Sequence, residues 1–241
     1  MTRRTATFVL LHGAWHGGWC WRDVAASLRT QGHHVTTPTQ TGLGERRHLL
    51  SGAITLETFV QDLVEHLEAE EVEEAILVGH SFGGLAISGA ADRVPQRIRH
   101  LVYLDTLLLE NGQAPFDVLP ADVVATRRRL AQEQGGGVFI PCPPVSAFGV
   151  PEDHPRADWM RRRLTPHPLG AFETPLRLCH PPGNGLPRTY VACTDPPYPP
   201  FEGARSEVRG RTDWAWREIA TGHNAMVTAP ETLARMLAAI V

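Results

Sequence analysis

The sequence predicts an α/β fold with a mainly parallel six-stranded sheet, helices on both faces of the sheet and one long insertion. Three observations support this prediction. Short apolar runs recur along the chain, a turn and then a helical pattern follow most of them, and the runs are apolar almost without interruption. Strands that are apolar on both faces are typical of a parallel sheet, because helices cover both of its sides.

The candidate strands and helices alternate through most of the chain. The six candidate strands are Thr7–Leu11, His34–Thr37, Ala75–Gly79, Ile98–Leu104, Thr189–Cys193 and Trp214–Ile219. The predicted helices of this core are Asp23–Gln31, Leu56–Glu68, Leu85–Val94 and Glu231–Ile240. The second helix has apolar residues at the i, i+3 and i+4 spacing of one helix face. Pro230 precedes the last helix, where proline favours a helix start.

Residues 107–187 depart from this alternation. The segment is rich in proline and glycine, with helices expected only near Ala121–Gln132 and His154–Leu164. A structureless loop of that length is unusual inside a compact domain, and sites in α/β sheets lie at the carboxyl ends of the strands. We therefore predict a core made of residues 1–106 and 188–241, with residues 107–187 inserted as a lid over one end of the sheet.

The composition narrows the class of protein and of partner. The chain of 241 residues is 42% hydrophobic and 20% charged, which is ordinary for a globular domain. A net charge of −3 favours neither nucleic acid nor an anionic membrane surface as a partner. No segment is long and apolar enough to span a membrane. The arginine clusters 127–129 and 161–163 are interpreted as solvated helix faces, and an anion site is the alternative.

The cysteines and the N-terminal residues indicate the cellular location of the protein. The four cysteines are widely spaced, so neither a metal site nor a disulfide framework is expected. The apolar run near the N-terminus is too short for the hydrophobic region of a signal peptide. We therefore expect a cytoplasmic protein with free thiols.

A serine stands between glycines in ILVGHSFGG, residues 76–84, at the point where a predicted strand meets a predicted helix. The stretch matches the pattern G-x-S-x-G, in which a tight strand-to-helix turn presents a nucleophilic serine. Glycines flank such a serine because larger side chains would collide with the turn. Ser81 is therefore the candidate nucleophile. A glycine-rich connection with an incidental serine is the alternative.

A serine hydroxyl is a weak nucleophile and needs a base. His223, in IATGHNAMVTAP, follows the last predicted strand and precedes the terminal helix. A serine, an acid and a histidine in this chain order form a catalytic triad in one class of hydrolases. His223 is therefore the candidate base, and a structural loop histidine is the alternative.

Backbone N–H groups can stabilise the negative charge that develops on a carbonyl oxygen when serine attacks it. Position in the sequence predicts two such groups. One is the N–H of Phe82, the residue after Ser81. The other is the N–H of Ala14, which follows the first strand in LLHGAWHGGWCW.

Six segments, in order along almost the whole chain, carry a resemblance to a known family. They are FVLLHGAWHGGWCW, HHVTTPTQTGLGER, ILVGHSFGG, LVYLDTLLLENGQ, RLTPHPLGAFETPL and TGHNAMVTAPETLARML. On these segments the chain resembles the α/β-hydrolases of the plant methylesterase and hydroxynitrile lyase type, in a bacterial version. The resemblance implies the α/β-hydrolase fold and a triad of serine, acid and histidine.

Two positions separate the activities within that group. Hydroxynitrile lyases of this type have a threonine where this chain has Gly13, and a lysine where it has Asn224. Without an ammonium group at the second position, nothing obvious stabilises a leaving cyanide. The resemblance therefore implies ester hydrolysis rather than cyanohydrin cleavage.

Two aspartates are candidates for the acid of the triad. In the plant relatives the acid follows the strand equivalent to Thr189–Cys193, and Asp195 lies there, one residue early, because the family position falls on Pro196. Asp105, at the end of the fourth strand, is our preferred acid, although the plant enzymes usually have a small apolar residue there. The alternatives are a capping aspartate at position 105 and a turn residue at position 195.

These features predict a serine esterase that acts on a small apolar or aromatic ester or lactone through an acyl-enzyme. No cofactor or metal is expected, and the oligomeric state is open, with a homodimer one option. Candidate apolar lining residues, each with an ordinary core position as the alternative, are Phe139, Phe148, Trp159 and Met226. Two rival functions are another reaction of the same triad (carbon–carbon cleavage, lactone opening or isomerisation) and a small-molecule receptor without turnover.

Overall fold

Six parallel strands form the central sheet, so the predicted fold class is confirmed. The computed structural model describes residues 5–241. The strands of this sheet are β1 (Thr7–Leu11), β2 (His34–Thr36), β3 (Ala75–His80), β4 (Ile98–Leu104), β7 (Arg188–Cys193) and β8 (Ala215–Ile219). Their order is β2-β1-β3-β4-β7-β8, and every neighbouring pair is parallel. Central β3 is buried along its whole length, as its apolar sequence requires.

The helices of the core pack in two pairs. They are α1 (Arg22–Thr30), α2 (Leu56–Ala69), α3 (Gly83–Arg93) and α10 (Pro230–Ala238). Helix α1 packs against α10, and α2 packs against α3. The apolar stripe of α2 is buried, and a capping box at Thr55 and Thr58 begins that helix. These four helices start and end within three residues of their predicted limits. No helix within residues 5–241 combines the length and apolar character needed to cross a membrane.

The segment between β4 and β7 contains short elements that the sequence predicted only in part. They are α4 (Pro115–Val118), α5 (Ala121–Gly135), β5 (Phe139–Ile140), α6 (Ala157–Arg161), β6 (His167–Pro168) and α7 (Leu169–Glu173). Helix α5 agrees with the prediction. Helix α6 is shorter than predicted because the preceding residues form turns, with His154 N donating to Pro151 O at 3.0 Å. Strands β5 and β6 pair antiparallel.

Two more helices lie near the C-terminal ends of the strands. Helix α8 (Glu202–Arg209) connects β7 to β8, and α9 (Ala225–Thr228) follows β8. Neither was predicted. The register of the sheet places His80, the last residue of β3, directly opposite Leu104, the last residue of β4. The residues that follow these two strands, Ser81 and Asp105, therefore leave the sheet at the same level.

Candidate active site

Ser81 occupies the turn between β3 and α3 with a φ of +53°. This left-handed conformation is uncommon for a residue with a side chain and is typical of functional turns. The Ser81 N–H donates to the Leu104 carbonyl at 3.0 Å, which ties the turn to the neighbouring strand. Gly83 is required because a Cβ there would lie 2.6 Å from the His12 carbonyl oxygen and 2.8 Å from that of Leu11. The turn is therefore held by close backbone packing.

Asp105 follows β4 in a second left-handed turn, with a φ of +41°. Its carboxylate is fully buried, and its N–H donates to the Val191 carbonyl at 2.8 Å. The next residue, Thr106, donates its hydroxyl to the Ser81 carbonyl. The Tyr190 hydroxyl accepts from Thr106 N at 3.1 Å and donates to Thr106 O at 2.8 Å. The turns of Ser81 and Asp105 are thus joined directly.

His223 lies against Asp105, with 2.7 Å between its Nδ1 and the Oδ2 of the carboxylate. Because a carboxylate only accepts, this contact places the proton on Nδ1 and leaves Nε2 able to accept one. The imidazole is buried, and the Tyr198 ring stacks on it with centroids 4.3 Å apart and planes 18° apart. No hydrogen bond joins Ser81 to His223 within residues 5–241, although both line one cavity. Such contacts often tighten only when substrate binds.

Arg205 of α8 supplies a buried positive charge beside Asp105. Its guanidinium donates to Oδ1 of Asp105 at 3.1 Å and to the Tyr198 carbonyl at 2.7 Å. The Cys193 N–H also faces Oδ1, at 3.4 Å. Burial alone would lower the pKa of Arg205, but Asp105 and Glu202 raise it above its usual value. The charge of Asp105 is therefore paired although the side chain is inaccessible to solvent.

Asp195 occupies a different environment. Its side chain is exposed, and it makes no hydrogen bond to another part of the described chain. Its backbone N–H donates to the Thr221 carbonyl at 3.1 Å. Of the two aspartates singled out from the sequence, the structure places Asp105 against His223 and leaves Asp195 at the surface.

Ala14 and Phe82 both line the cavity, and their backbone N–H groups have no partner within the described residues. Neither makes a hydrogen bond within residues 5–241, although both residues are buried. Ser81 lines the same cavity. Buried backbone N–H groups are seldom unpaired, so two of them beside a strained serine are free to donate to a developing oxyanion.

Four buried histidines surround these groups and remain neutral. Burial lowers the pKa of His12 to about 4 and that of His16 to about 3, against a usual value of 6.5. Burial also lowers the pKa values of His80 and His167 well below that value. His80 donates its Nε2–H to the His223 carbonyl at 2.9 Å, which holds the backbone of the candidate base. These four imidazoles therefore add no positive charge beside His223.

The cavity over Ser81 is narrow and mostly apolar. Its volume is about 20 Å³, room for about one water molecule. Its lining residues are Ala14, Trp15, Ser81, Phe82, Leu107, Leu119, Arg127, Phe148, Phe172, Tyr198, Phe201 and His223. Five of these lie within residues 107–187, and Tyr198 and Phe201 lie in the connection after β7.

Only one of the four predicted lining residues, Phe148, contacts this cavity. The other three predictions need correction. Phe139 packs beside Gly135 at the end of α5, within 3.2 Å of a Cβ built there. The Trp159 ring meets the Trp19 ring at 5.0 Å. Met226 is fully buried in the core, where α9 begins. Apolar character alone does not separate lining residues from core residues.

The two positions that distinguish hydroxynitrile lyases are accounted for by packing. A Cβ at Gly13 would lie 2.8 Å from the Ser81 Cβ and 3.0 Å from His80 Nδ1, so this structure has no room for a threonine there. Asn224 is fully buried and donates to His16 Nε2 at 3.0 Å. Neither position presents a cation to Ser81.

Sequence reasoning missed three contributors to the site: Arg205, Tyr198 and Arg127. Arg205 lies on a helix that the pattern did not predict. Tyr198 follows a proline-rich turn, where no periodicity marks a functional side chain. The run of arginines predicts a solvated helix face, yet Arg127 is half-buried and lines the cavity. A run of three arginines does not indicate which one turns inward.

The similarity of this chain to known proteins agrees with the geometry of the site. Residues 8–236 match the family described as "Alpha/beta hydrolase family". The chain belongs to this family. It is 40% identical over 243 residues to a carbendazim hydrolyzing esterase of Nocardioides sp. (strain SG-4G), covering 98% of this chain and 99% of the relative. The predicted resemblance to the α/β-hydrolases is therefore confirmed.

Two further matches bear on the resemblance to the plant methylesterase type. Methylesterase 17 of Arabidopsis thaliana is 31% identical over 168 residues, and the match spans 69% of this hydrolase but only 58% of the plant protein. An extracellular α/β-hydrolase from a Paenibacillus species, described as sharing structural and functional homology with tobacco salicylic acid binding protein 2, superposes with a TM-score of 0.83. It is 26% identical, and the match covers 96% of this chain and 97% of that one. The resemblance to the methylesterase type is confirmed.

Proposed function

We propose that this alpha/beta hydrolase cleaves small carboxylic esters through a covalent acyl-enzyme on Ser81. Two relatives, matched over 243 and 168 residues, are named as esterases, and the chain is accordingly a serine hydrolase of the carboxylic ester class. One observation supports the assignment of residues most directly. Asp105 holds Nδ1 of His223 at 2.7 Å, in the cavity that Ser81 also lines.

In the first step His223 Nε2 takes the hydroxyl proton as Ser81 Oγ attacks the ester carbonyl carbon. The carbonyl oxygen becomes an oxyanion, and the unpaired N–H groups of Ala14 and Phe82 donate to it. Asp105 keeps the proton of His223 on Nδ1 and stabilises the imidazolium that forms. The tetrahedral intermediate then collapses, its C–O bond to the alcohol breaks, and His223 gives its proton to the leaving oxygen.

In the second step water replaces the alcohol. His223 takes a proton from the water, and the hydroxide attacks the acyl carbon of the Ser81 ester. The second tetrahedral intermediate collapses to the carboxylic acid, and the proton held by His223 returns to Ser81 Oγ. The same two N–H groups serve both intermediates, and water is the second substrate.

The lining of the cavity favours a small apolar or aromatic acyl group or a lactone. Trp15, Phe82, Phe148 and Phe172 bring four aromatic rings to a space of about 20 Å³. A ring or short chain would have to displace part of the cover to enter, which supports a lid role for residues 107–187. Carbendazim, the compound in the name of the 40%-identical relative, belongs in a first substrate panel beside methyl and aryl esters.

A fluorophosphonate probe tests the nucleophile. The purified chain is treated with the probe, digested and mapped by mass spectrometry, and 4-nitrophenyl ester turnover is followed in parallel. We expect one adduct, on Ser81, with loss of turnover in proportion to labelling. Ser81→Ala is expected to be folded, unlabelled and inactive. Full turnover by Ser81→Ala would contradict the proposed mechanism.

Replacement of each aspartate tests the acid. Asp105→Asn is expected to lower kcat by about 10³- to 10⁴-fold, because the imidazole loses the carboxylate that orients and stabilises it. Asp195→Asn, the matched control on the exposed loop, is expected to keep kcat within about twofold. The opposite result would assign the acid to Asp195 and overturn our choice of Asp105.

The rival functions predict different kinetics. A receptor without turnover would release no 4-nitrophenol burst when mixed with an activated aryl ester, whereas an acyl-enzyme releases one equivalent rapidly. The esterase names of the relatives favour ester hydrolysis over carbon–carbon cleavage or isomerisation. A cytoplasmic location and a homodimer stay predictions, which cell fractionation and light scattering can test.

A further inference from the structure

Arg127 of α5 brings a guanidinium to the cavity that holds Ser81 and His223. It is the one formally charged group among the described residues that line this cavity. Its guanidinium carbon lies 4.8 Å from the Phe172 ring centroid and 5.2 Å from that of Trp15. A cation between two aromatic faces is well positioned, but the rings do not neutralise its charge.

The neighbouring arginines provide a contrast within the same helix. Arg128 pairs with Glu173 at 3.1 Å, and Arg129 pairs with Glu133 at 2.8 Å, both at the surface. Within residues 5–241 Arg127 pairs with no carboxylate, although it is less exposed than either neighbour. Arg127, the least exposed of these three arginines, is therefore the one without an acidic partner.

The hydrogen-bonding capacity of Arg127 is also largely unused. A guanidinium has five N–H donors, and the polar side chain that interacts with it is the Tyr198 hydroxyl. Burial lowers the pKa of Arg127, whereas Tyr198 raises it. An arginine side chain stays protonated at neutral pH, so a half-buried charge with spare donors lines the cavity. Such a group is stabilised by an oxygen acceptor.

Aromatic rings connect Arg127 to the reacting serine. Phe172, which its guanidinium covers, meets the Phe82 ring at 4.7 Å, and Phe82 is the residue after Ser81. On another wall, Tyr198 interacts with Arg127 and stacks on His223. Arg127 and Ser81 thus lie in one cavity with a few rings between them, which suits a substrate whose ester and acceptor group are a short spacer apart.

We propose that Arg127 is a substrate-recognition residue that binds an oxygen acceptor, a carboxylate or a carbonyl, on the acyl part of the ester. This inference rests on the proposed function of Ser81 and adds an oxygen acceptor to the small acyl group that the aromatic lining favours. The preferred esters are half-esters of short dicarboxylic acids or esters of keto acids. Simple apolar esters of the same length react more slowly because the guanidinium then stays without a partner.

Three 4-nitrophenyl esters of matched length test the proposal: the pentanoate, the 4-oxopentanoate and the glutarate half-ester. We expect wild-type kcat/KM for at least one of the oxygen-bearing esters to exceed that for pentanoate by about 10- to 100-fold. Preference for the half-ester alone identifies a carboxylate, and preference for both identifies any oxygen acceptor. In Arg127→Met, the ratio of kcat/KM for the oxygen-bearing ester to kcat/KM for pentanoate is expected to approach one. Arg127→Lys is expected to restore part of this ratio.

Arg129→Met is the matched control, since it removes a surface arginine of the same helix and should keep the wild-type ratio. Equal kcat/KM for all three esters in the wild type, or an unchanged ratio in a folded Arg127→Met variant, would overturn the proposal. Turnover that survives in Ser81→Ala would instead overturn the proposed function, so the two failures are distinguishable.

Discussion

Arg205 and Asp105 form a buried ion pair behind the candidate base: a guanidinium N–H donates to Oδ1 at 3.1 Å while Oδ2 contacts His223. The carboxylate is fully buried, and the Arg205 side chain is 8% exposed. Asp105 thus has the Arg205 guanidinium on one side and the His223 imidazole on the other, so the orientation of the carboxylate toward His223 depends on Arg205.

Removal of this arginine is expected to lower both stability and kcat. Arg205→Met leaves the Asp105 charge buried and unpaired, which costs about 3–5 kcal/mol of the free energy of unfolding. We expect kcat to fall by about tenfold or more, with KM little changed, because Arg205 acts through Asp105 and does not touch the substrate cavity. Urea denaturation and steady-state kinetics measure both effects.

Two further variants separate the effect of losing the Arg205 charge from the effect of losing its packing contacts. The double variant Arg205→Met, Asp105→Asn removes both charges and is expected to be more stable than Arg205→Met alone. Arg205→Lys keeps a charge without the planar fork and should recover part of kcat. If Arg205→Met unfolded at the same urea concentration as the wild type, the ion pair would have no role in stability.

The buried histidines predict a loss of stability in mild acid. An unfolded chain binds a proton at each of these sites near pH 6.5, whereas folded His12 and His16 do so only near pH 4 and pH 3. The unfolded state holds more protons between these values, so the free energy of unfolding falls as the pH drops from 6.5 toward 3. Each site contributes a slope of about 1.4 kcal/mol per pH unit where only the unfolded form is protonated.

Urea denaturation from pH 7 to pH 4 measures this slope. His16→Gln is expected to flatten it by about one site's share, whatever the substitution does to stability at pH 7. His48→Gln, at an exposed position, is the control for a histidine-to-glutamine change at the surface. An unaltered slope in His16→Gln would show that His16 does not titrate between the two states in this range.

Gly13 is expected to tolerate no side chain. Even alanine would place its Cβ 2.8 Å from the Ser81 Cβ, so Gly13→Ala should displace the serine and lower kcat by about tenfold or more. The overpacking should also cost about 1–3 kcal/mol of stability. Gly203→Ala is the control, because a Cβ there meets nothing within 4 Å. Wild-type kcat in Gly13→Ala would contradict the packing described here.

Leu119 lines both the small cavity over Ser81 and a larger groove of about 640 Å³. Leu107, Leu119 and Phe201 line both spaces, so the barrier between them is a wall of side chains. Leu119→Ala is expected to raise the ratio of kcat/KM for a naphthyl ester to that for an acetate ester by about tenfold. It should also cost about 2–5 kcal/mol of stability.

Val118→Ala is the control for this wall, since Val118 lines the larger groove but not the small cavity. It should leave the ratio of the kcat/KM values for the two esters unchanged. If Leu119→Ala lowered turnover of both esters equally, substrate would reach Ser81 by another route.

The sheet and the serine turn could be predicted because their physical constraints are local. A fully buried parallel strand such as β3 is apolar along most of its length, and a strained strand-to-helix turn needs small neighbours such as Gly83. Both constraints are visible in a few consecutive residues. The observed strands accordingly start and end within one residue of the predicted limits.

The contacts around the acid could not be predicted in the same way. Asp105 and Asp195 each follow a strand, and their difference in burial depends on register and on distant side chains. Arg205 reaches Asp105 across 100 residues of sequence, from a helix whose outer face is polar. Strands β5 and β6 are only two residues long, so no alternation could reveal them. Long-range packing decides all of these features.

The hydrogen bonds that join the left-handed turns at Ser81 and Asp105 affect how the enzyme responds to warming. Ser81 N donates to Leu104 O, and the Thr106 hydroxyl donates to the Ser81 carbonyl, so these links belong to the centre of the sheet. Local opening is expected mainly in surface connections, and the centre of a sheet exchanges its amide protons only through global unfolding. The spacing between the proposed nucleophile and acid should therefore persist until the whole domain melts.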